Sequence, residues 1–581
     1  MSIFLAIRLQ GRYLFRSQSV PFVNIASKRL TSTINMMKEV KEPITLNETE
    51  LSIRDLLVEF CNKYNNQNKT NNLVLRITGG WVRDKLLGKE SNDLDIAINE
   101  MLGEEFASKL HEYVNKERPE LLMKATHLIK KNPEKSKHLE TCTTKLFGLD
   151  IDFVNLRCEH YTADSRVPII ECGTAEEDAL RRDATLNALF YNLNESKIED
   201  FTGFGKEDLK NGILRTPLQP LKTFLDDPLR VLRLIRFASR FNFIIEKETL
   251  AAMANPGIKD ALIHKISRER VGVELDKILS GPNPKYGLNL ISYVKLSESV
   301  FSFGTLTETI SKINDQHVLN ELEVTLKNLS IHIRNTTNLS NAFEEILQSD
   351  ERFPRFSALY HDIMSHTKSQ KLFWLSAILE KYGAIRIVSN PKRKHILNSA
   401  PELFIKEGLR FGKGDFDPVS TILQEHNDSK ELMNQALHNP ESVERSKLGL
   451  YLRKFGSYLN LDIVCNCFID VLESISQPES SYDEVPQPIE KSQSEYNSEI
   501  IPFIKGYDSL LDRIYSLDLS NVSELKPLID GKTLSTKLQM KPGPWTGKIT
   551  TEILIWQLDN PQGSQEECLD YIKLIIHNYI V

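Results

Sequence analysis

One short stretch near the start of the chain limits what it can fold into more than any other. Leu73–Ile77 has the apolar pattern of a strand, Gly79 and Gly80 follow it, and residues 81–87 have the pattern of a helix. A second strand is predicted over residues 94–98, directly after that helix. A strand, a glycine turn, a helix and a second strand predict a domain that mixes sheet and helix.

The second strand has two carboxylates on one face. Leu94 and Ile96 alternate with Asp93 and Asp95, and side chains two residues apart on a strand point the same way. Two like charges side by side are costly unless a cation lies between them, and Mg²⁺ with nucleotide phosphates suits such a pair. Asp152 lies on a later predicted strand and would join the cluster if the two strands are neighbours.

The glycine turn provides a place for phosphate groups. Gly79 and Gly80 let the backbone approach a phosphate closely, and Arg83 could add a bidentate phosphate contact. A lone pair of glycines or a lone D-x-D would more often be an ordinary turn or an exposed acidic face. The turn, the arginine and the paired carboxylates together favour a nucleotide site.

These residues carry a resemblance to a known family. Gly79–Gly88, followed by Asn92–Ala97, closely resembles the head of the class II tRNA nucleotidyltransferases, the CCA-adding enzymes, whose relatives include bacterial poly(A) polymerases. Four further segments resemble the family's later motifs in the expected order: Arg181–Ala188, Asp200–Leu209, Asp226–Arg236 and Ile266–Val271. One residue departs from the family pattern, because Asp226 stands where glutamate is usual, which leaves its role open.

The resemblance implies an α+β protein with a mixed-sheet nucleotidyltransferase head and all-α neck, body and tail domains. The alternation of strand and helix patterns places the head at residues 44–190, and later segments are almost wholly helical. The remaining boundaries are a neck at 191–280, a body at 281–472, a polar and Pro-rich linker or loop at 473–500, and a tail at 501–581.

The segment Asp226–Arg236 predicts how bases are selected. Cytosine and adenine both present an amino donor beside a ring-nitrogen acceptor, so one carboxylate and one guanidinium can accept both and reject uracil and guanine. Asp227 and Arg230 are placed to be that pair, as the resemblance also implies. The alternative is that Asp227 and Pro228 simply start a helix.

The remaining site residues rest on helical spacing and on the resemblance. Arg233 and Arg236 continue the arginine face of the same helix and could hold the triphosphate, the base or the tRNA end. The resemblance places Arg182, Asp183 and Asn187 near the nucleotide sugar and phosphates. Residues 158–177 show little periodicity and resemble the family's flexible loop, which helps the switch from CTP to ATP.

The first 38 residues differ in composition from the rest of the chain. They hold six of the 73 Lys and Arg residues and no Asp or Glu, which predicts a mitochondrial transit peptide at 1–38. Met36 and Met37 offer a second start that would leave the protein in the cytoplasm and nucleus. The remaining 67 basic and 79 acidic residues give a net charge of −12, so RNA must be bound by local basic patches.

Together these features predict an enzyme that adds and repairs the 3′-terminal CCA of tRNA. The expected substrates are CTP, ATP and the tRNA 3′ end, the cofactor is Mg²⁺ held by Asp93 and Asp95, and Asp152 completes the catalytic set. We expect a monomer without a membrane span. The alternatives are a poly(A) polymerase of the same class and a catalytically inactive RNA-binding module. His361 and Asp362, with His366 and His332, resemble a metal phosphohydrolase pattern, but the separate upstream histidine and distant aspartate that such a site needs cannot be assigned.

Overall fold

The computed structural model describes residues 38–70, 72–121, 127–129, 141–162, 165–349, 351–475, 484–488 and 497–579. The predicted transit peptide and most of the predicted linker at 473–500 lie outside these residues. Within them, the predicted fold class is confirmed: a mixed sheet with flanking helices is followed by a long helical region. All seven cysteines are free thiols.

The head is built on a seven-stranded sheet that helices cover. Its strand order is β3-β4-β5-β2-β1-β8-β9, and β2 and β5 are parallel neighbours while the other pairs are antiparallel. The elements of the head are α1 (Glu48–Asn68), β1 (Leu75–Thr78), α2 (Gly80–Leu86), β2 (Leu94–Ile98), α3 (Gly103–Glu117), β3 (His127–Ile129), β4 (Thr141–Leu146), β5 (Leu149–Asn155), β6 (Arg157–Thr162), β7 (Ser165–Cys172), α4 (Ala175–Leu180), β8 (Phe190–Asn192) and β9 (Lys197–Glu199).

The sheet extends beyond the predicted end of the head at residue 190. β8 pairs with β1, and β9 pairs with β8 and completes the sheet at Glu199, so the expectation that strands stop near 190 is wrong. Both strands have only three residues, which is too short for a clear alternating pattern. Residues 158–177, expected to be an irregular loop, include most of a two-stranded hairpin of β6 and β7 and then enter α4.

The neck consists of short helices that continue the core of the head. Its strongly amphipathic helix, α7, buries Val231, Leu232, Leu234 and Ile235 and turns arginines to the other side. The neck elements are α5 (Gly205–Asn211), β10 (Ile213–Leu214), α6 (Pro220–Asp226), α7 (Leu229–Phe241), β11 (Ile244–Ile245), α8 (Lys247–Met253), α9 (Pro256–Lys265) and α10 (Arg268–Leu279).

The body is almost entirely helical and shares one continuous hydrophobic core with the head and neck. A small pair of strands, β12 (Arg386–Val388) and β13 (Leu397–Ser399), lies within it. Its helices are α11 (Pro284–Tyr293), α12 (Ser297–Val300), α13 (Thr307–Ile313), α14 (Gln316–Lys327), α15 (Leu329–Ser349), α16 (Pro354–Ser365), α17 (Thr367–Leu379), α18 (Ala400–Leu403), α19 (Lys413–Gln424), α20 (His426–His438), α21 (Arg445–Phe455), α22 (Leu459–Ser474) and α23 (Asn497–Ser516).

The tail is smaller than the predicted 501–581. Ile504, Tyr507 and Leu511 of α23 are buried in the large core, so this helix packs with the body. A separate small core begins at Ile529 and includes Trp545 and Ile572. It is formed by α24 (Gly531–Leu538), α25 (Pro544–Asp559) and α26 (Gln565–Ile575).

One helical stretch of the described chain, Arg445–Ser474, is long and apolar enough to cross a membrane by length and composition. It consists of α21 and α22, and 72% of its apolar window is buried inside the protein. Asp462, Asn466 and Asp470 within it are fully buried and bonded to neighbouring helices or to one another. These contacts assign the stretch to the core of the body.

The neck and body meet at a close backbone contact that requires glycine. A Cβ added to Gly272 on α10 would lie 2.0 Å from the carbonyl oxygen of Leu409, whereas one added to the nearby Gly412 would meet nothing within 4 Å.

We expect Gly272→Ala to lower the free energy of unfolding by about 1–3 kcal/mol or more, because the backbone must move. Gly412→Ala is the matched steric control, and because Gly412 caps α19 it should cost only the capping difference between glycine and alanine, about 1 kcal/mol or less, in the same urea titration.

Candidate active site

A cavity of about 630 Å³ lies between the end of the head sheet that carries β1 and β2 and the arginine face of α7. Residues from both domains line it, which explains why no single motif describes it. All of the predicted site residues except Asp152 are among its lining residues: Gly79, Gly80, Arg83, Asp93, Asp95, Arg182, Asp183, Asn187, Asp227, Arg230, Arg233 and Arg236.

The carboxylates meet through the register of the parallel strands. Asp95 of β2 and Asp152 of β5 are directly paired Cα partners, and Asp93 precedes β2 by one residue. Burial, the charge of Asp93 and then the charge of Asp152 raise the pKa of Asp95 to about 6. The expected clustering of Asp152 with the other two is therefore present. The Thr143 hydroxyl donates to Asp152 Oδ1 at 2.5 Å and so orients the Asp152 carboxylate.

This donor set fits a hard divalent cation. Carboxylate oxygens are the ligands that Mg²⁺ prefers, and a raised carboxyl pKa shows that the cluster disfavours its own negative charge. A cation between Asp93 and Asp95 would remove that penalty. The side chain of Asp150, which follows the same alternation, is 72% exposed and lies 3.4 Å from the Lys145 ammonium, so it is separate from the cluster.

The glycine turn passes close to these carboxylates. Gly79 has φ of +77°, which a residue with a side chain rarely adopts, and it directly precedes α2. A Cβ at Gly79 would lie 3.6 Å from Asp95 Oδ2 and 3.8 Å from Arg182 Nη1. The backbone of the turn therefore borders both the acidic cluster and the basic part of the cavity.

Arg83 does not make the arrangement expected for a bidentate phosphate contact. Its Nε and Nη2 lie 2.8 Å from Asp84 Oδ1, and its Nη1 donates to Asn187 Oδ1 at 2.5 Å. The guanidinium is 5% exposed and lies against the rings of Phe237 and Phe241 of α7. All three nitrogens thus have protein partners, and Arg83 joins the head to the neck beneath the cavity.

Asp183 is the buried link between the head and α7. It accepts from Arg233 Nε at 2.7 Å and from Asn187 Nδ2 at 2.9 Å. Burial alone would raise the pKa of Asp183, but the Arg233 charge and these hydrogen bonds lower it to about 2. Asp183 therefore stays ionised and fixes the position of Arg233.

Arg182 has a similar positioning network within the head. It donates to Asp178 Oδ2 at 2.7 Å and to the Thr78 hydroxyl at 2.5 Å, and its Nη1 reaches the carbonyl of Asn187 at 3.2 Å. The side chain remains 16% exposed at the cavity wall.

The arginines of α7 all face the cavity, as their spacing predicts. Arg230 Nη2 lies 3.6 Å from Glu159 Oε2, and Arg236 Nε lies 2.9 Å from Glu274 Oε2 on α10. Arg240, one turn further on, lines the same wall. Each of Arg230, Arg233 and Arg236 thus has an acidic partner from another element, which holds the row in place.

Asp227 has two structural contacts at the start of α7. Its Oδ1 accepts from the Leu229 amide at 3.2 Å, which is the helix-capping role considered as the alternative. Its Oδ2 accepts from Arg270 Nη2 at 2.9 Å. A carboxylate can accept about four hydrogen bonds, so these contacts leave capacity for a base amino group.

Sequence reasoning missed several charged residues that line this cavity, and three of them hold predicted site residues in place. Glu159 on β6 contacts Arg181 and Arg230, Asp178 on α4 holds Arg181 and Arg182, and Arg270 on α10 holds Asp227. The spacing of Asp178 from Arg182, four residues, is a signal that could have been used. Glu159 and Arg270 could not be found this way, because only tertiary folding brings them to α7.

The histidines considered as a metal site have other partners. His332 is buried, which lowers its pKa to about 4, and its Nε2 lies 3.0 Å from the Ala377 carbonyl. His361 and His366 bond to carbonyls of their own helix. Among the described residues, the groups with metal-ligand geometry lie elsewhere, at Cys158, His160 and Glu171 and at His426, Asp470 and Glu473.

A mixed sheet with clustered carboxylates beside a glycine turn, facing a helix of arginines, defines the class of nucleotidyltransferases. A family model described as the poly A polymerase head domain matches residues 75–215. A second, described as a probable RNA and SrmB-binding site of polymerase A, matches residues 242–304.

Two fungal relatives specify the family further. The chain is 41% identical to the mitochondrial CCA tRNA nucleotidyltransferase of Saccharomyces cerevisiae, over 98% of this chain and 100% of that protein. It is 42% identical to the Candida glabrata protein of the same name, over 92% and 97% of the two chains. The chain therefore belongs to the CCA tRNA nucleotidyltransferase family, and the predicted resemblance is confirmed.

A solved structure supports the fold independently. The Bacillus stearothermophilus CCA-adding enzyme in complex with CTP superposes with a TM-score of 0.53, covering 92% of this chain and all of that one at 17% identity. The overall fold of the present chain is thus shared with a protein of low sequence identity.

The raised pKa of Asp95 predicts how stability depends on pH without a divalent cation. The folded carboxyl titrates near pH 6 and its ordinary pKa is 3.8, so the folded state holds the extra proton between these values. Stability should therefore fall as pH rises through this window. At pH 7.5 with EDTA, Asp95→Asn should stabilise the protein by on the order of 1–3 kcal/mol, and at pH 4 by much less.

Thermal unfolding of both proteins at the two pH values measures this effect. The exposed Asp150→Asn on the neighbouring strand is the matched control and should change little. Mg²⁺ should raise the midpoint of the wild type and have little effect on Asp95→Asn. An Asp95→Asn protein less stable than the wild type at pH 7.5 in EDTA would contradict the electrostatic interpretation.

Proposed function

We propose that this chain adds and repairs the 3′-terminal CCA of tRNA from CTP and ATP, with the nucleotide bound in the cavity between the head and α7. The 3′-hydroxyl of tRNA attacks the α-phosphorus of the nucleotide, and pyrophosphate leaves. Full-length identity of 41% to a CCA tRNA nucleotidyltransferase favours this activity over poly(A) synthesis.

One observation carries the proposal at the level of residues. Asp93 and Asp95 line the cavity on the side of the head, where Asp95 is paired with Asp152, and Asp227 and Arg230 line the same cavity on the neck side. A volume of about 630 Å³ falls within the range that small-molecule ligands need. The triphosphate and the base can thus be held at opposite walls of one cavity.

Asp93 and Asp95 are the proposed metal ligands, and Asp152 supports them. Mg²⁺ bound there would lower the pKa of the tRNA 3′-hydroxyl and stabilise the charge on the leaving pyrophosphate. Gly79 and Gly80 let the backbone approach the phosphates. Arg182 is the proposed phosphate contact of the head: its nitrogens have protein partners, as those of Arg83 do, but its side chain is 16% exposed at the cavity wall, against 5% for Arg83.

Asp227 and Arg230 are the proposed base-reading pair. The carboxylate would accept from the amino group shared by cytosine and adenine, and the guanidinium would donate to the adjacent ring nitrogen. Uracil and guanine present a carbonyl and a ring N–H at these positions. Their carbonyl would face the carboxylate and their N–H would face the guanidinium, which costs about 1–3 kcal/mol for each unsatisfied buried group. The protein itself would therefore act as the template.

Glu159 is proposed as the residue through which the β6–β7 hairpin positions Arg230. Its carboxylate is 7% exposed and lies 3.6 Å from Arg230 Nη2 and 2.8 Å from Arg181 Nη1. A movement of the hairpin would therefore change the position of Arg230 between CTP and ATP. This contact gives a structural reason for the role that the family resemblance assigns to the segment.

Purified protein incubated with a tRNA transcript that lacks CCA tests the proposal directly. CTP alone should add two residues, CTP with ATP should complete CCA, and addition should then stop. Asp95→Asn is the inactive control and should remain folded by circular dichroism. Untemplated poly(A) made from ATP on arbitrary RNA would identify a poly(A) polymerase instead, and no addition at all would leave an RNA-binding module.

Changing Asp227 should alter base choice more than catalytic chemistry. Asp227→Ala removes the acceptor for the amino group, so CTP and ATP use should fall together. Discrimination against UTP should weaken about 10–100-fold, equivalent to about 1–3 kcal/mol. The quantity to compare is kcat/KM for each of the three nucleotides on matched tRNA ends.

Arg270→Met is the matched control for this change. It removes the ion pair of Asp227 but keeps the base acceptor and the capping bond to Leu229. Rejection of UTP should therefore persist in Arg270→Met. If both variants reject UTP as well as the wild type does, Asp227 is a helix cap that positions the arginines and does not read the base.

We also propose dual targeting from two start sites. The acid-free segment before Glu39 supports import into mitochondria, and the two relatives of 41–42% identity carry "mitochondrial" in their names. Starting at Met36 or Met37 would omit this segment and leave the protein in the cytoplasm and nucleus.

Fluorescently tagged versions of the gene test the targeting proposal. Without the Met1 codon, the mitochondrial signal should be lost while the cytoplasmic and nuclear signals remain. Replacing Met36 and Met37 by leucine should leave only the mitochondrial signal. An undiminished mitochondrial signal after loss of Met1 would overturn the proposal.

A further inference from the structure

A buried polar cluster lies in the body, far in sequence from the residues of the nucleotide cavity. It joins His426 at the start of α20 to Asp470 and Glu473 on α22. His426 is 9% exposed and Asp470 is fully buried, whereas Glu473 is at the edge of the cluster. The nucleotidyltransferase reaction proposed above uses none of them.

Hydrogen bonds fix which nitrogen of His426 faces the acids. Nδ1 lies 2.7 Å from Asn466 Oδ1, and the Asn466 amide in turn donates to Asp462 Oδ1 at 2.6 Å. Because the amide nitrogen is used by Asp462, its oxygen must accept from His426 Nδ1–H. When the ring is neutral, Nε2 is therefore the unprotonated nitrogen, and it points at Asp470 and Glu473.

The spacing around Nε2 fits a shared cation better than hydrogen bonds. Nε2 lies 3.4 Å from Asp470 Oδ1 and 3.5 Å from Glu473 Oε2, whereas a charge-assisted hydrogen bond would be about 2.7–2.9 Å. Ligands around a tetrahedral Zn²⁺ lie about 3.3–3.4 Å apart, since its bonds are about 2.0–2.1 Å long. In the described structure, His426 Nε2 is buried without a hydrogen-bond partner, and Asp470 Oδ1 lies 3.0 Å from the Lys430 ammonium.

Each deeply buried ligand also has an outer partner of the kind that metal ligands need. Asn466 holds the His426 ring, and the Tyr507 hydroxyl donates to Asp470 Oδ2 at 2.8 Å. Glu380 interacts electrostatically with both His426 and Glu473, which adds to the negative potential. These contacts fix the ring and the Asp470 carboxylate before any cation arrives.

Lys430 is the competing cation. Its ammonium lies 3.0 Å from both Asp470 Oδ1 and Glu473 Oε2, but its side chain is 37% exposed at the surface of α20. A flexible lysine at the rim can turn to solvent, whereas the buried imidazole cannot. Lys430 and a proton on His426 would be the alternative way to neutralise the two acids.

We propose that His426, Asp470 and Glu473 form a second metal site, which binds a first-row divalent cation such as Zn²⁺ while Lys430 turns to solvent. One imidazole nitrogen with two carboxylate oxygens suits Zn²⁺ better than Mg²⁺, which prefers oxygen ligands and retains water. The ion would join α20 to α22, and α22 is next in the chain to α21, against which α25 of the tail packs. The site would thus stiffen the support of the tail.

Co²⁺ is the spectroscopic probe, because a four- or five-coordinate Co²⁺ site absorbs visibly and Zn²⁺ should displace it. The full-length chain carries Asp93→Asn, Asp95→Asn and Cys158→Ser to remove the other candidate donor groups. After treatment with a chelator, this background should bind one equivalent of Co²⁺ with visible absorption. Zn²⁺ should also raise its thermal midpoint.

Substitutions in that background decide between a metal and a proton. Glu473→Gln, at a 36% exposed position, should lose the absorption and the Zn²⁺-dependent shift without unfolding the chain. Glu431→Gln on α20, the helix of His426, is the matched control and should keep both. Lys430→Met should bind Co²⁺ several-fold more tightly. His426→Gln should abolish binding, and if it fails to fold, Glu473→Gln still tests the site.

Two results would overturn the proposal. The first is absence of visible absorption in both the background protein and its folded Lys430→Met variant, which would leave Lys430 and a protonated His426 as the only cations. The second is equal Co²⁺ affinity in the background and Glu473→Gln proteins, which would place the ion elsewhere.

Discussion

The parallel pairing of β2 with β5 brings negatively charged side chains together, and the candidate active site is built beside them. It places Asp95 beside Asp152 at the end of the sheet, with Asp93 one residue before the strand. The electrostatic cost is visible in the pKa of Asp95, raised to about 6 by burial and by these neighbours. A folded chain that keeps such a cluster is less stable without a cation, which is typical of sites retained for function.

The opposite wall of the cavity is lined by positively charged side chains. The arginines of α7 are partnered by acids from three other elements, namely Asp183 after α4, Glu159 on β6 and Glu274 on α10. A row of arginines has to be fixed if the protein rather than a nucleic-acid strand is to select a base. The ionised Asp183, whose pKa is lowered to about 2, and the buried Arg83 connect this helix to the head.

The charge of the chain is distributed unevenly. Without the first 38 residues the net charge is −12, yet four arginines are gathered on one helix face toward one cavity. The acids that partner them balance the local charge and hold the guanidiniums in position. A second charged network lies in the body, where His426 and Lys430 face Asp470 and Glu473 of α22.

The sequence alone determined the fold class, the paired carboxylates and the arginine face, because each depends on local periodicity. Alternation on β2 puts Asp93 and Asp95 on one side, and helical spacing puts Arg230, Arg233 and Arg236 on another. It did not determine the partners of those residues. Only the tertiary structure brought Glu159 to Arg230 and Arg270 to Asp227, bound all three nitrogens of Arg83, and assigned α23 to the body. These contacts join residues distant in sequence, and periodicity carries no information about which distant elements will pack together.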